Sequence, residues 1–461
     1  MNDQRSEISN PNPSPLMRAF AALRPSSAAF ALVVLALVAS GCDAVFGSKD
    51  DPTTREIFEE GETDPSLLED VGYVPLTPFY EQGFGGTFDQ PVDVYVGYDE
   101  FIYVADNRGL HVLDLAGRPQ FLLDTVAGQD LRDITAIVQD RRLDVYIAAR
   151  RDTTVAGAEC PSSGGGEACD LAVVYRVRGL TTNTPRVVDI LWHPFDDGSR
   201  RFTRFGTPDV YAGGASDEDA EFTGVATLAD NSLYVTRRGP VNNTASGRPS
   251  QAFSPFNAFL QYTAEGEYIQ YVRTLTPDRA SLLSAYYPAD VLTFIGPPQR
   301  SSPSTSVDFM LALAPPPDQP APDYGVVSIV VAETPDGTEY RVDAARLGAS
   351  GSGVGDGSLF EIGQFERVSS LAYAPDQTGY TFVLDAGKDS LFVFNSNGIE
   401  GVAPPPGAGS TDPVRASFGG TGGGPLQFSD PEGVAYYNQV VYVADTGNNR
   451  ISRFRLNTDF E

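Results

Sequence analysis

The chain has 461 residues, is 41% hydrophobic and 20% charged, and carries a net charge of −29. Acidity on this scale excludes a nucleic-acid protein, whose affinity rests on neutralising phosphates, and a protein held on anionic lipid by basic residues. With only two histidines, His111 and His193, and three cysteines, a histidine-built zinc or copper centre is excluded as well, because neither histidine has a ligand partner at useful spacing.

Residues 1–41 read as a targeting segment. Arg18 and Arg24 are basic, and Ala28 to Ala39 then form a continuous apolar run. That run is too short to span a bilayer comfortably and has the length of a signal-peptide apolar region. Met17 is an alternative start, because residues 1–16 are polar and unlike a signal's basic region. The run ends in Val38-Ala-Ser-Gly-Cys42. Small residues directly before a cysteine resemble the bacterial lipoprotein cleavage site. The resemblance implies that Cys42 is lipidated, becomes the new N-terminus and anchors the chain to a membrane of the cell envelope. A plain export signal with an incidental cysteine is the other reading. Residues 42–72 are rich in Asp and Glu and poor in aromatics, so they read as a disordered acidic tether between anchor and folded body.

From residue 73 onward the pattern is one of short β-strands and tight turns, with 46 Gly and 35 Pro in the whole chain and no sustained helical period. Tyr73 to Phe84 is apolar. Gly85-Gly-Thr-Phe-Asp-Gln-Pro-Val-Asp-Val94 is followed by Phe101-Ile-Tyr-Val-Ala-Asp106, a turn, and a further strand to Leu113. The same order recurs from Phe365 to Phe394, with Thr381-Phe-Val-Leu-Asp385 as its second strand. It recurs again from Gly423 to Leu456, where Pro431-Glu-Gly-Val-Ala435 leads to Tyr442-Val-Ala-Asp-Thr-Gly-Asn-Asn-Arg-Ile451. Three more divergent copies span 134–177, 222–262 and 290–332. A repeated meander that cannot bury both faces alone implies a repeat architecture. The motifs in the first and last copies resemble the NHL repeats of β-propellers. The resemblance implies an all-β propeller, most simply six-bladed, each blade a four-stranded antiparallel sheet. The last copy shows three strands, so a strand near 74–80 is expected to complete it and close the ring, removing an exposed edge. A single domain, 73–461, and a monomer are expected.

Candidate sites are few. Cys160 and Cys169 bracket a short Gly-rich loop and in an exported protein read as a disulfide. Asp106, Asp385 and Asp445 end the same strand in three copies. They form either a ring of carboxylates or, on the reading favoured here, acceptors for their own turns and for Arg108 or Arg450. The equivalent strands of copies two and three end in Arg150-Arg151 and Arg237-Arg238, which would gather on one rim as an anion site unless they pair with local acids such as Asp152. No nucleophile with its base is visible, and the Gly-rich runs 348–357 and 419–424 lack the Lys-Ser/Thr of a phosphate loop. NHL propellers commonly serve as interaction platforms. The resemblance therefore implies a non-enzymatic binder of protein, peptide or glycan at the envelope. The alternative is a calcium-dependent lactonase or esterase with a carboxylate-lined channel. Calcium is the one cofactor this composition leaves open, since its ligands are oxygens.

Overall fold

The computed structural model describes residues 71–156, 160–182, 185–192, 217–239, 258–272, 274–297, 306–346, 357–405 and 407–460. Among them, six four-stranded antiparallel sheets form the blades of a propeller. Blade one is Asp93–Val96, Phe101–Asp106, Gly109–Asp114 and Pro119–Leu123. Blade two begins with Arg132–Gln139, blade three with Glu221–Thr227, blade four with Pro288–Thr293, blade five with Val368–Tyr373 and blade six with Gly433–Tyr437. These first strands pack side by side in chain order, and the sixth returns to the first.

The second strands are rich in Val, Ala and aromatic residues; five of the six are buried over nearly their whole length, as in Phe309–Leu313 and Thr381–Asp385, and the longer one of blade two, Val145–Thr154, over its first half. β-Branched and aromatic side chains suit a pleated surface covered on both faces, and the covering comes from the neighbouring blades. The core accordingly divides into six apolar clusters, one at each seam. Val94, Val104 and Ile102 of blade one pack with Ala435, Tyr442 and Ile451 of blade six, and corresponding clusters join each other adjacent pair. Apart from a small cluster around the cysteines of blade two, no blade has a core of its own among the described residues, which is why the repeat must be iterated.

The last blade takes its outer strand from the N-terminal side. Tyr73 pairs with Leu456, Val74 with Arg455 and Pro75 with Phe454, and a further bridge joins Tyr80 to Ile451. The expected strand near 74–80 is thus a short ladder at Tyr73–Pro75 plus an isolated bridge. Pro75 and Pro78 have no N–H to extend the ladder between them. Tyr73 is buried against the rings of Phe382 and Phe418 in blade five, so closure is apolar as well as hydrogen-bonded.

A hydrogen bond also crosses every seam. Thr135 Oγ1 donates to the Phe222 carbonyl (2.6 Å), Thr223 Oγ1 to that of Pro288 (2.8 Å), Ser369 Oγ to that of Pro431 (3.0 Å) and Thr446 Oγ1 to that of Pro91 (2.7 Å). At the two remaining seams carboxylates accept instead: Asp93 from the Ile137 N–H (2.7 Å) and Asp290 from the Leu371 N–H (2.9 Å). The signal segment, Cys42, the tether as far as residue 70 and His193 lie outside the described residues; the last two tether positions belong to the fold instead, Val71 packing on the apolar cluster of blades five and six and the Gly72 amide donating to Asn457 Oδ1 (3.2 Å).

Candidate functional site

Strand register places one residue of each first strand at the same level. Asp93 faces Ala105, Ala136 faces Ala148, Gly224 faces Thr236, Asp290 faces Ala312, Ser370 faces Leu384 and Gly433 faces Ala444. This level is the floor of a cavity of about 710 Å³ that occupies the channel and is lined by all six first strands. Its walls are Val, Ala, Leu and Ile. Its lining ends on the side of the loops joining first and second strands, with Tyr98, Glu100, Tyr373, Asp376, Tyr436 and Tyr437. Among the described lining residues none is lysine or arginine.

The two acidic floor residues sit in blades one and four, on opposite sides of a six-membered ring. Both are built in the same way. Asp93 accepts from its own neighbour's amide, Val94 (2.8 Å), and from Ile137 in the next blade. Asp290 accepts from Val291 (2.7 Å), from Leu371 and from Ser370 Oγ (3.0 Å) in the next blade. On the preceding blade each meets a glycine. A Cβ on Gly433 would lie 2.7 Å from Asp93 Cα, and one on Gly224 would lie 2.8 Å from Asp290 Cα. The arrangement glycine, aspartate, accepted amide therefore occurs twice around the ring.

Burial pushes the Asp290 carboxyl up to about 6, although the three hydrogen bonds to its oxygens act in the opposite direction. Burial also raises Asp93 well above the usual carboxylate range, and the charge of Asp290 adds to that rise. The two groups thus sense each other through the channel. At the mouth, hydrogen bonds from Thr378 and Tyr436 hold Asp376 below its ordinary value against the effect of burial. Burial raises the phenols of Tyr95, Tyr98 and Tyr437, so they remain neutral at physiological pH.

The family profile of the NHL repeat matches residues 428–454, which lie in the sixth blade and the approach to it. No curated protein matches the chain. Among solved structures the chain is similar to an auxiliary nutrient binding protein from Bacteroides thetaiotaomicron, with 10% identity over 84% of this chain and 72% of that one and a TM-score of 0.43. It is similar to virginiamycin B lyase from Staphylococcus aureus at 10% identity over 84% and 99%, TM-score 0.36. It is also similar to the PQQ-bound aldose sugar dehydrogenase of Streptomyces coelicolor at 14% identity over 84% and 98%, TM-score 0.39. Those descriptions differ from one another, and likenesses this distant assign no activity to this chain.

The residues singled out from sequence lie elsewhere. Asp106, Asp385 and Asp445 are buried at the ends of second strands, on the side of the ring where first strands begin, away from the tyrosines of the cavity mouth. Asp445 accepts from the Ser429 amide, Asn448, Arg450 and Ser452. Asp385 accepts from the amides of Glu366, Arg367 and Gly387. Asp106 accepts from the amides of Asp89 and Arg108 and from His111 Nε2 at 2.9 Å. His111 is fully buried, and its Nδ1 accepts from the Phe84 amide (3.0 Å). Each aspartate thus ties the end of the second strand to the loop that enters its own blade.

The arginines are held by the protein. Arg150 is paired with Asp170 (2.8 Å) and donates to the carbonyls of Glu218 and Ala220. Arg238 pairs with Glu221 (2.6 Å), Arg151 lies over the Tyr175 ring, and Arg237 is fully buried. Asp152, the neighbour considered for these arginines, pairs with Arg132. Cys160 and Cys169 form a disulfide at the tip of the long hairpin of blade two.

Asp93 and Asp290 were not singled out by the sequence reading, yet a signal existed. Pro91-Val-Asp-Val94 and Pro288-Ala-Asp-Val291 match Pro431-Glu-Gly-Val434, with aspartate in place of the repeat's glycine. Aligning the copies position by position exposes the exchange.

Proposed function

We propose that this protein is an exported, membrane-tethered binding propeller that acts without catalysis and holds a small ligand in its central channel. The observation that carries the reading is the preformed cavity of about 710 Å³. It has apolar walls and a few polar groups at floor and mouth, the combination expected of a ligand site. The anchor at Cys42 would keep the domain at the cell envelope, where such a site meets solutes. Thermal-shift screening of residues 73–461 against neutral, cationic and anionic small molecules tests it. Ala136→Leu, adding bulk at the floor of the cavity, and Ala435→Leu, adding it at the wall, are expected to abolish the shift of any hit. Hits that persist in both variants would place binding elsewhere and overturn the reading.

A second reading is a calcium-dependent lactonase or esterase. It is favoured by the entry of two carboxylates, Asp93 and Asp290, into one channel. Against it, both already accept backbone amides, and among the described residues no group of three or more Asp, Glu, His or Cys converges as a metal site. Calorimetry with calcium separates the two. A stoichiometric site abolished by chelator and by Asp93→Asn would favour the hydrolase; no heat would favour the binder.

A further inference from the structure

The chemistry of the channel narrows the ligand beyond its size. The floor holds two carboxylates on opposite sides, the mouth adds Glu100 and Asp376, and no described lining residue is cationic. An ionised carboxylate offers about four acceptor positions. Asp93 uses one on each oxygen, for Val94 and Ile137. Asp290 uses three, for Val291, Leu371 and Ser370. Lone pairs remain on both, while burying the two charges in one cavity carries a desolvation cost that a cation would offset and an anion would increase.

The glycines argue that this placement is built. At the same level of the preceding blades stand Gly433 and Gly224, the positions where a side chain would strike the aspartate backbone. Four of the six positions at this level are thus committed to seating two acids in a channel otherwise walled by apolar groups. A structural need for a seam hydrogen bond does not require them, since hydroxyls supply it at the other four seams. The tyrosines among the lining residues at the mouth add aromatic side chains, which suit cations and ring systems.

From these observations we propose that the channel selects a small organic cation, a primary amine on an apolar or aromatic body, and receives its ammonium group at the floor that carries Asp93 and Asp290. The inference rests on the channel being the ligand site. Three probes of the same shape test it: tyramine (cationic), tyrosol (neutral) and 4-hydroxyphenylacetate (anionic), each titrated calorimetrically into the full-length protein. Tyramine is expected to bind about tenfold or more tightly than tyrosol, with 4-hydroxyphenylacetate weakest. Asp93→Asn and Asp290→Asn, tested separately so that one folded variant suffices, should each reduce that preference by about tenfold. Ala136→Leu should weaken all three probes.

Equal binding of tyramine and tyrosol, or a preference that survives both Asn variants, would overturn cation selection. If tyrosol binding is nonetheless lost in Ala136→Leu, the channel stands as a ligand site of another selectivity. Binding by none of the three would overturn both.

Discussion

Replacing Asp290 by Asn should change how stability depends on pH. An aspartate titrates near 3.8 in the unfolded chain, whereas burial in the channel raises this one to about 6. A folded-state value above the unfolded one means that the native protein holds the proton more tightly. The associated stability is fully present below pH 4 and is lost as the pH rises through 6. At about 1.4 kcal/mol per pH unit between the two values, the loss is about 3 kcal/mol. Carboxylates held below their ordinary values, such as Asp144 beside Arg176 and Arg178 and Asp170 beside Arg132 and Arg150, act in the opposite sense and mask the effect in the wild type. The comparison that isolates it is the unfolding free energy of Asp290→Asn minus that of wild type, from urea titrations across pH 4 to 7. This difference should rise by about 3 kcal/mol with increasing pH. Removing the Asp290 charge also lowers the Asp93 carboxyl toward its ordinary value, which moves the difference the same way. A difference that stays flat from pH 4 to 7 would show that the carboxylate is not desolvated in the channel, and the electrostatic argument for cation selection would fall with it.

Gly433→Ala should cost about 1–3 kcal/mol, since its Cβ would strike Asp93 backbone. Gly423→Ala, whose nearest neighbour is the Asn448 side chain at 3.5 Å, serves as the near-neutral control in the same melts. Tyr73→Ala removes a buried ring that seals blade six against blade five and should destabilise by about 3–5 kcal/mol. An effect below about 1 kcal/mol in chemical denaturation would mean that closure does not limit stability. Opening the Cys160–Cys169 disulfide should cost about 2–3 kcal/mol by loop-closure entropy. Hydrogen exchange should register the loss in the hairpin of blade two, and unchanged protection there would contradict that placement.

The amino-acid sequence by itself determined the repeat. The turn chemistry of Asp445-Thr-Gly-Asn-Asn-Arg450, the β-branched second strands and the missing strand of the last copy together pointed to a ring of similar sheets, most simply six, and to a closing segment near residue 74; the structure fixed the count at six. These are local properties, written in neighbouring residues, and the spacing of two cysteines around a Gly-rich loop is another. The roles of the prominent charges were less legible. Arg150, Arg151, Arg237 and Arg238 are adjacent pairs in sequence, but whether a guanidinium faces solvent or a carbonyl depends on partners up to 70 residues away, such as the Glu218 and Ala220 backbone. The channel was hidden for a sharper reason. Its floor is a single level drawn from six strands, each contributing one residue, so Asp93 and Asp290 stand 197 positions apart and mean little alone. Only closure of the ring brings them into one cavity. Only burial there raises their carboxyls, and only the glycines of the preceding blades make room for them.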